Sequence, residues 1–284
     1  MAKYDLRNNE SVSGSLFVDT TCIDCETCFH IGPDIFEEKK NLSVVVRQPE
    51  TLQEWQRAKE AILSCPTNSI GVKEAPAAFR DAVVKLPRTI VDGIYFCGYT
   101  SPDSFGATSY LIRHPQGNIL VDSPRFNAQL VSEIEKMGGI DLMFLTHKDD
   151  VADHKKFREH FKCRRVIHKD DLSPDTADCE IVLEGSQPTI LKSNLITIPT
   201  PGHSLGHMCL LYLDRYLFTG DHLFYNREED KIYASKSFNW YSWDEQLKSN
   251  TRLLDYHFEW IFPGHGGWVH KDSEKLKDDI RKIK

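Results

Sequence analysis

No apolar run in this sequence approaches the ~20 residues that a membrane-spanning helix needs, so no membrane partner is expected. Positive charge is also short. Lys and Arg number 35 against 42 Asp and Glu, a net charge of -7, which argues against a general nucleic-acid surface. The N-terminus, Met1-Ala-Lys-Tyr-Asp-Leu-Arg7, lacks the apolar stretch and small-residue cleavage site of a secretory signal, so the expected location is cytoplasmic. Internal repeats and low-complexity tracts are missing. No flavodoxin-like Gly-rich phosphate loop is present, nor any further obvious cofactor motif. A disulfide framework is not expected either, because such frameworks belong to small secreted chains short of core, and 284 residues can bury a real one.

The eight cysteines present are unevenly spread. Cys22, Cys25, Cys28 and Cys65 fall in the first quarter of the chain, and Cys97, Cys163, Cys179 and Cys209 are scattered singly. The grammar around the first group is that of a small unit. Ser15–Asp19 and Ser69–Val72 read as short strands. Thr51 and Glu54 make a capping box that starts a helix, whose apolar positions Trp55, Ala58 and Ile62 fall at helical spacing and which stops by Pro66. Lys73–Ala78 reads as a linker, giving one domain over residues 1–76 and a second over 77–284.

In the second part strands dominate. Ser109–Arg113, a turn at 114–118 and Ile119–Asp122 read as a hairpin, followed by apolar runs at Leu142–Leu145, Leu195–Ile198, Tyr216–Phe218 and Trp260–Phe262. Helices are expected over Asn127–Met137 and Asp244–Leu254, so the whole is a mixed α/β domain.

The run Cys22-x2-Cys25-x2-Cys28 wraps three thiolates around one face of a compact cluster, and Cys65, followed by Pro66, closes the fourth side. Structural zinc held by the same sulfurs is the competing reading. This segment, about the first 75 residues, resembles a bacterial-type ferredoxin. Gly32 stands before Pro33 where a two-cluster ferredoxin would have a further cysteine. The resemblance therefore implies one [4Fe–4S] cluster on Cys22, Cys25, Cys28 and Cys65, either electron-carrying or structural.

Four polar motifs each follow an apolar run: Thr146-His147-Lys148-Asp149-Asp150-Val151-Ala152-Asp153-His154, Pro201-Gly202-His203-Ser204-Leu205-Gly206-His207, Gly220-Asp221-His222, and Pro263-Gly264-His265. Loops beyond strand ends are where ligands gather in α/β sheets, so the four could meet on one rim. Gly202, Gly220 and Gly264 would let the backbone turn so that the next side chain faces the site. Imidazole and carboxylate together suit zinc, iron or manganese. His114, His160, His168, His257 and His270 read as surface or core residues.

From about residue 85 onward these motifs closely resemble the metallo-β-lactamase superfamily. The resemblance implies an α+β chain in which the ferredoxin-like module precedes an αββα sandwich holding one or two divalent metal ions. Carried over by motif, His203 and His265 are ligands, Asp153 and His154 serve a second metal, and Asp221 bridges. The first motif departs from the family's His-x-His-x-Asp-His. Counted forward, His147 and Asp149 take the two His places, whereas counted backward from Asp153-His154, Asp149 and Val151 do. Asp150 reads as a solvated neighbour.

Three functions stay open, ranked in this order. The first is hydrolysis of a small-molecule ester, thioester or phosphoester, with Asp153 orienting a metal-bound hydroxide and Asp221 fixing the metal spacing. The second is an oxidoreductase, served by a redox partner protein, in which the cluster passes electrons to iron in the sandwich. The third is a non-catalytic metal-binding or sensing protein. Trp240, Tyr241 and Trp243 either line a pocket or pack, and His207 either orients ligands or packs near its turn.

Overall fold

The computed structural model describes residues 1–284. The N-terminal module runs β1 (Leu16–Val18), α1 (Thr27–Ile31), β2 (Phe36–Glu38), β3 (Ser43–Val45), α2 (Leu52–Ser64) and β4 (Ile70–Val72). β1 and β4 pair antiparallel, with Leu16 opposite Val72, so the two ends of the module close on each other. Thr51 and Glu54 do form the capping box, each side chain accepting from the other's backbone N–H. The helix ends because Pro66 disfavours helical backbone at the residue before it, and Cys65 is extended at φ -61, ψ 120. Trp55, Ala58 and Ala61 on its inner face pack with Leu16, Val18, Ile35 and Phe36. The stretch expected as a linker runs into α3 (Ala77–Asp81), and Ala78, Phe79 and Ala82 pack on this same core.

Next come β5 (Arg88–Val91), β6 (Ile94–Phe96), β7 (Tyr110–Ile112), β8 (Ile119–Val121), α4 (Ala128–Lys136), β9 (Leu142–Phe144), α5 (His154–Phe161), β10 (Arg164–His168) and β11 (Ile181–Leu183). The seven strands form one sheet in chain order. β5 to β8 meander antiparallel and β8 to β11 run parallel. Helices α4 and α5 supply two of the crossovers that parallel neighbours require.

The second sheet is built from β12 (Thr189–Lys192), β13 (Leu195–Pro199), β14 (Met208–Tyr212) and β15 (Tyr216–Gly220). After the small hairpin β16 (Phe224–Asn226) and β17 (Lys231–Tyr233) come α6 (Trp243–Leu253), β18 (Trp260–Pro263), β19 (Val269–His270) and α7 (Ser273–Arg281). Its strand order is β12-β13-β14-β15-β18-β19.

Alternation along the strands sets the layers. On β14, Met208, Leu210 and Tyr212 face the other sheet, while Cys209 and Leu211 face α6 and α7. On β8, Ile119 and Val121 face inward and Leu120 faces the helices α4 and α5. Both faces of each sheet are covered, which is why these strands read as continuous apolar runs rather than alternating ones. The result is an αββα sandwich. Each fully buried Leu, Ile or Phe of its central layer contributes roughly 1.5–3 kcal/mol.

The two modules touch through specific contacts. Arg88 Nε donates to both carboxylate oxygens of Glu60 at 3.0 and 2.9 Å, and Thr100 Oγ1 donates to Ser64 O at 2.6 Å. The loops after β9, β13, β15 and β18 carry the four polar motifs to one edge of the sandwich.

Candidate metal centre

Asp221 sits directly after β15, whose last residue Gly220 takes left-handed backbone at φ +46. A Cβ there would meet Thr146 Cβ at 2.8 Å and His207 Nε2 at 2.9 Å, so only glycine fits. Gly202 and Gly264 do not share this backbone. Asp221 Oδ2 lies 3.9 Å from His147 Nε2, 3.9 Å from His203 Nε2 and 3.6 Å from His265 Nε2. Asp149 Oδ2 adds a second carboxylate, 3.5 Å from His203 Nε2 and 3.9 Å from His147 Nε2.

Backbone and side-chain hydrogen bonds fix the tautomers. His203 Nδ1 donates to Phe238 O at 2.6 Å, which leaves the Nε2 lone pair free. His147 Nδ1 lies 2.9 Å from Thr146 Oγ1, which donates onward to Asp122, so its Nε2 is free as well. Burial holds His147 down to about 4, against the opposing pull of Asp221, so its ring is neutral and able to ligate. Burial would lower His203 too, but Asp149 and Asp221 outweigh it and raise it.

Buried polar atoms without protein partners test whether a metal fits. His147 Nε2, His203 Nε2, Asp150 Oδ2 and Asp221 Oδ1 are all of this kind. Left bare, such atoms each cost a desolvation penalty of about 1–3 kcal/mol or more, and a cation among them removes it. Nitrogen and carboxylate donors converging at one rim suit a divalent ion.

Asp150, expected as a solvated neighbour, is buried, and its ligating atom lies within 4.8 Å of those of His147 and Asp221. Burial, followed by the charges of Asp221 and Asp122, pushes its carboxyl well above the usual range.

Asp153 and His154 stand apart from this set. Both Asp153 oxygens are engaged elsewhere, Oδ2 by Phe126 N–H and Oδ1 by Lys156 Nζ, each at 2.7 Å. Arg165 Nη1 lies 3.2 Å from His154 Nδ1, and a guanidinium can only donate. Nδ1 is therefore the acceptor here, and His154 Nε2, like those of His147 and His203, is buried without a protein partner. The structure brings His147 together with Asp149 and His203, and with Asp150 and Asp221.

Two residues were not singled out from the sequence. Asp171, buried, accepts from Lys148 N at 3.2 Å, Ser204 Oγ at 2.5 Å and Gly206 N at 2.7 Å, and so ties the His147 loop to the His203 loop. Phe238, whose carbonyl orients His203, is itself 55% exposed. With Trp240, Tyr241 and Phe105 it forms an exposed aromatic rim, and the Trp240 and Phe105 rings lie 6.1 and 6.2 Å from His203 and His265. His207 lies behind the site, its Nδ1 on Thr200 Oγ1 at 2.9 Å.

In the first module Cys22, Cys25, Cys28 and Cys65 line one cavity with Val18, Pro66 and Ile70. Burial pushes the Cys25 thiol up to about 11 and Cys28 higher still, so thiolates here need a compensating positive charge, which iron supplies. N–H groups of Asp24 and Ser69 point at the Cys22 and Cys65 sulfurs at 3.4 and 3.3 Å.

A four-layer sandwich with a His/Asp cluster at its edge, preceded by a four-cysteine module, defines a two-part metalloprotein. The chain belongs to the metallo-beta-lactamase superfamily, whose family model matches residues 103–265, and residues 18–72 match the 4Fe-4S single cluster domain of Ferredoxin I. A hydroxyacylglutathione hydrolase from Citrobacter koseri is 30% identical over 118 residues, 40% of this chain and 46% of that enzyme. The chain thus spans less than half the length of this curated relative. Among solved structures, VMB-1 superposes with a TM-score of 0.52 at 15% identity, covering 68% of this chain and 94% of that one. The metallo-beta-lactamase family protein TTHA1429 from Thermus thermophilus gives 0.50 at 16%, covering 68% and 79%. Identities this low speak for the fold alone.

Proposed function

We propose that the chain is a metal-dependent hydrolase of a small-molecule thioester or ester, holding one or two divalent ions, zinc, iron or manganese, on His147, Asp149, Asp150, His203, Asp221 and His265. The observation that carries this reading is Asp221 Oδ2 within 3.6–3.9 Å of three imidazole Nε2 atoms. A bound divalent ion supplies water of lowered pKa, from about 15.7 towards ~7, near neutral pH.

The residues do the rest. Asp221 would hold the ion among the three histidines whose Nε2 atoms lie 3.6–3.9 Å from its Oδ2. Asp150, buried beside Asp221, would orient the attacking water, the role expected of Asp153 from the sequence. Phe105, Phe238, Trp240 and Tyr241 bind an apolar acyl group at the mouth, where their exposed rings offer area and exclude water. A thioester is favoured over a phosphoester by this apolar rim and by the partial likeness to the hydroxyacylglutathione hydrolase. The cytoplasm remains the proposed location, where the cysteines of the 4Fe-4S domain would stay reduced.

The test is turnover of acyl-glutathione and aryl ester probes by protein loaded with zinc, iron or manganese, against Asp221→Asn. Turnover that tracks metal content and vanishes in the variant is expected. Absence of cleavage of every ester, thioester and phosphoester probe by fully loaded protein would sink the reading.

A further inference from the structure

One ligand of the cluster differs from the other three in what lies against it. The sulfurs of Cys22, Cys28 and Cys65 have their hydrogen-bonding neighbours in their own module: Asp24 N, Ser43 Oγ, and Ser69 N with Thr67 Oγ1. Cys25 faces the sandwich. A Cβ on Gly106 would stand 2.7 Å from Cys25 Cβ and 2.9 Å from its Sγ, and Gly106 holds φ +84. Glycine is what lets the backbone of the second module come this close to the cluster's edge.

From that contact a continuous route leads to the metal centre. Cys25 Sγ lies 3.3 Å from Thr27 Oγ1, and Thr27 Oγ1 donates to Gly106 O at 3.2 Å. Two residues along, Thr108 N donates to Gly264 O at 2.6 Å. Gly264 is bonded to His265, whose Nε2 faces Asp221. Thr27, Ala107 and Thr108 are all buried, and Cys25, Thr27, Gly106 and Thr108 also line a cavity beside the route. Phe105, at the start of the same segment, places its ring 6.2 Å from the His265 ring.

We propose that Gly106–Thr108 is an electron bridge, with Cys25 as the exit ligand of the cluster and His265 as the entry ligand of an iron-loaded sandwich site. One electron leaves the reduced cluster and one ferric ion held through His265 becomes ferrous. No bond is made or broken, and no proton is required. A soluble one-electron carrier protein recharges the cluster. The inference rests on the ligand set proposed above and not on hydrolysis.

The experiment uses the full chain, purified anaerobically with its cluster intact and the sandwich site loaded with iron, manganese or zinc. The protein is prepared with the cluster oxidised and the site iron ferric, a flash photoreductant delivers about one electron per chain to the cluster, and cluster absorbance is followed after the flash. Expected is a fast reoxidation phase with iron, independent of protein concentration and absent with zinc. Thr27→Val, which removes the hydroxyl touching both Cys25 and Gly106, slows that phase at least tenfold, and Thr27→Ser restores it. The reduced cluster's EPR signal in unaltered protein relaxes faster with manganese than with zinc in the site. That readout carries the test if Thr27→Val loses its cluster. Equal reoxidation with iron and zinc, or identical relaxation with manganese and zinc, overturns the proposal. Neither readout depends on any substrate being hydrolysed.

Discussion

Arg165 Nη1 donates to His154 Nδ1 across 3.2 Å, and this contact makes Nδ1 of the neutral ring the acceptor. Burial first, then the neighbouring Arg165 charge, hold the ring down to about 4. Arg165 is itself buried and draws its charge balance from Glu180 and Asp178, at 3.0 and 3.3 Å, rather than from the metal centre. Asp153 and His154 thus make their contacts at the start of α5, with Phe126, Lys156 and Arg165.

Metal content separates this arrangement from the one the motif order suggests. His154→Gln and Asp153→Asn should retain the metal stoichiometry of the parent, measured by elemental analysis after dialysis. His203→Ala and Asp221→Asn should each lose it, with affinity reduced more than the roughly 10–100-fold typical of removing an outer hydrogen-bond partner. Loss of metal in His154→Gln equal to that in His203→Ala would refute the assignment.

Asp150→Asn keeps the size of the side chain and removes its charge and basicity. Misplacing the attacking water costs about 10²-fold in rate, so kcat should fall by about that factor while KM changes little. A variant with the parent's kcat would return Asp150 to the role of a buried spectator.

Asp171 touches no ligand atom directly, yet it ties the loops of two of them. Asp171→Ala should weaken metal binding by roughly 10–100-fold, with a smaller loss in Asp171→Asn, which keeps one acceptor. Titration with a chromophoric chelator checks this. Unchanged affinity in the alanine variant would mean the loops hold their geometry unaided.

The ion pair of Arg165 and Glu180 gives a stability prediction with a sign. Burial works against the Glu180 carboxylate, but Arg165 outweighs it and holds the carboxyl down to about 2 from an ordinary 4.5. A lowered folded value stabilises above the unfolded value and is lost as pH falls through the window between the two. Glu180→Gln should therefore lower stability by about 3 kcal/mol at pH 7, since it removes one of the two carboxylates that balance a buried guanidinium. Urea unfolding should show the gap between parent and variant constant above pH 6 and shrinking below about 4.5. A gap that widens on acidification would contradict the pairing.

The exposed aromatic rim predicts a specificity effect. Trp240→Ala should raise KM for thioesters with apolar acyl groups by about tenfold, the equivalent of roughly 1.4 kcal/mol of binding, and leave acetyl thioesters almost unaffected. Equal effects on both would assign Trp240 to folding of its loop.

Much of the architecture was legible from patterns. The capping box at Thr51 and Glu54, the hairpin of β7 and β8, and the helices α4 and α6 all came from local signals, because caps, turns and helical spacing act over a few residues. Strands β5, β6, β10–β12 and the β16–β17 hairpin were not foreseen, because short mixed segments take their strand character from neighbours distant in the sequence.

At the site, the sequence by itself determined the donor types and the order of the motifs: four clustered thiols, then His147, Asp149, His203, Asp221 and His265 after strand-like runs. Only the tertiary structure decided which of the acids between 149 and 153 reach the centre. Spacing alone could not choose, because the turn from 147 to 154 buries Asp150 beside Asp221 and carries Asp153 round to the start of α5. His154's hydrogen bonding depended on an arginine eleven residues on, and the meeting of Cys25 with Gly106 joins positions 81 residues apart. Such pairings are set by how layers pack, and packing is a property of the folded chain rather than of any local run of residues.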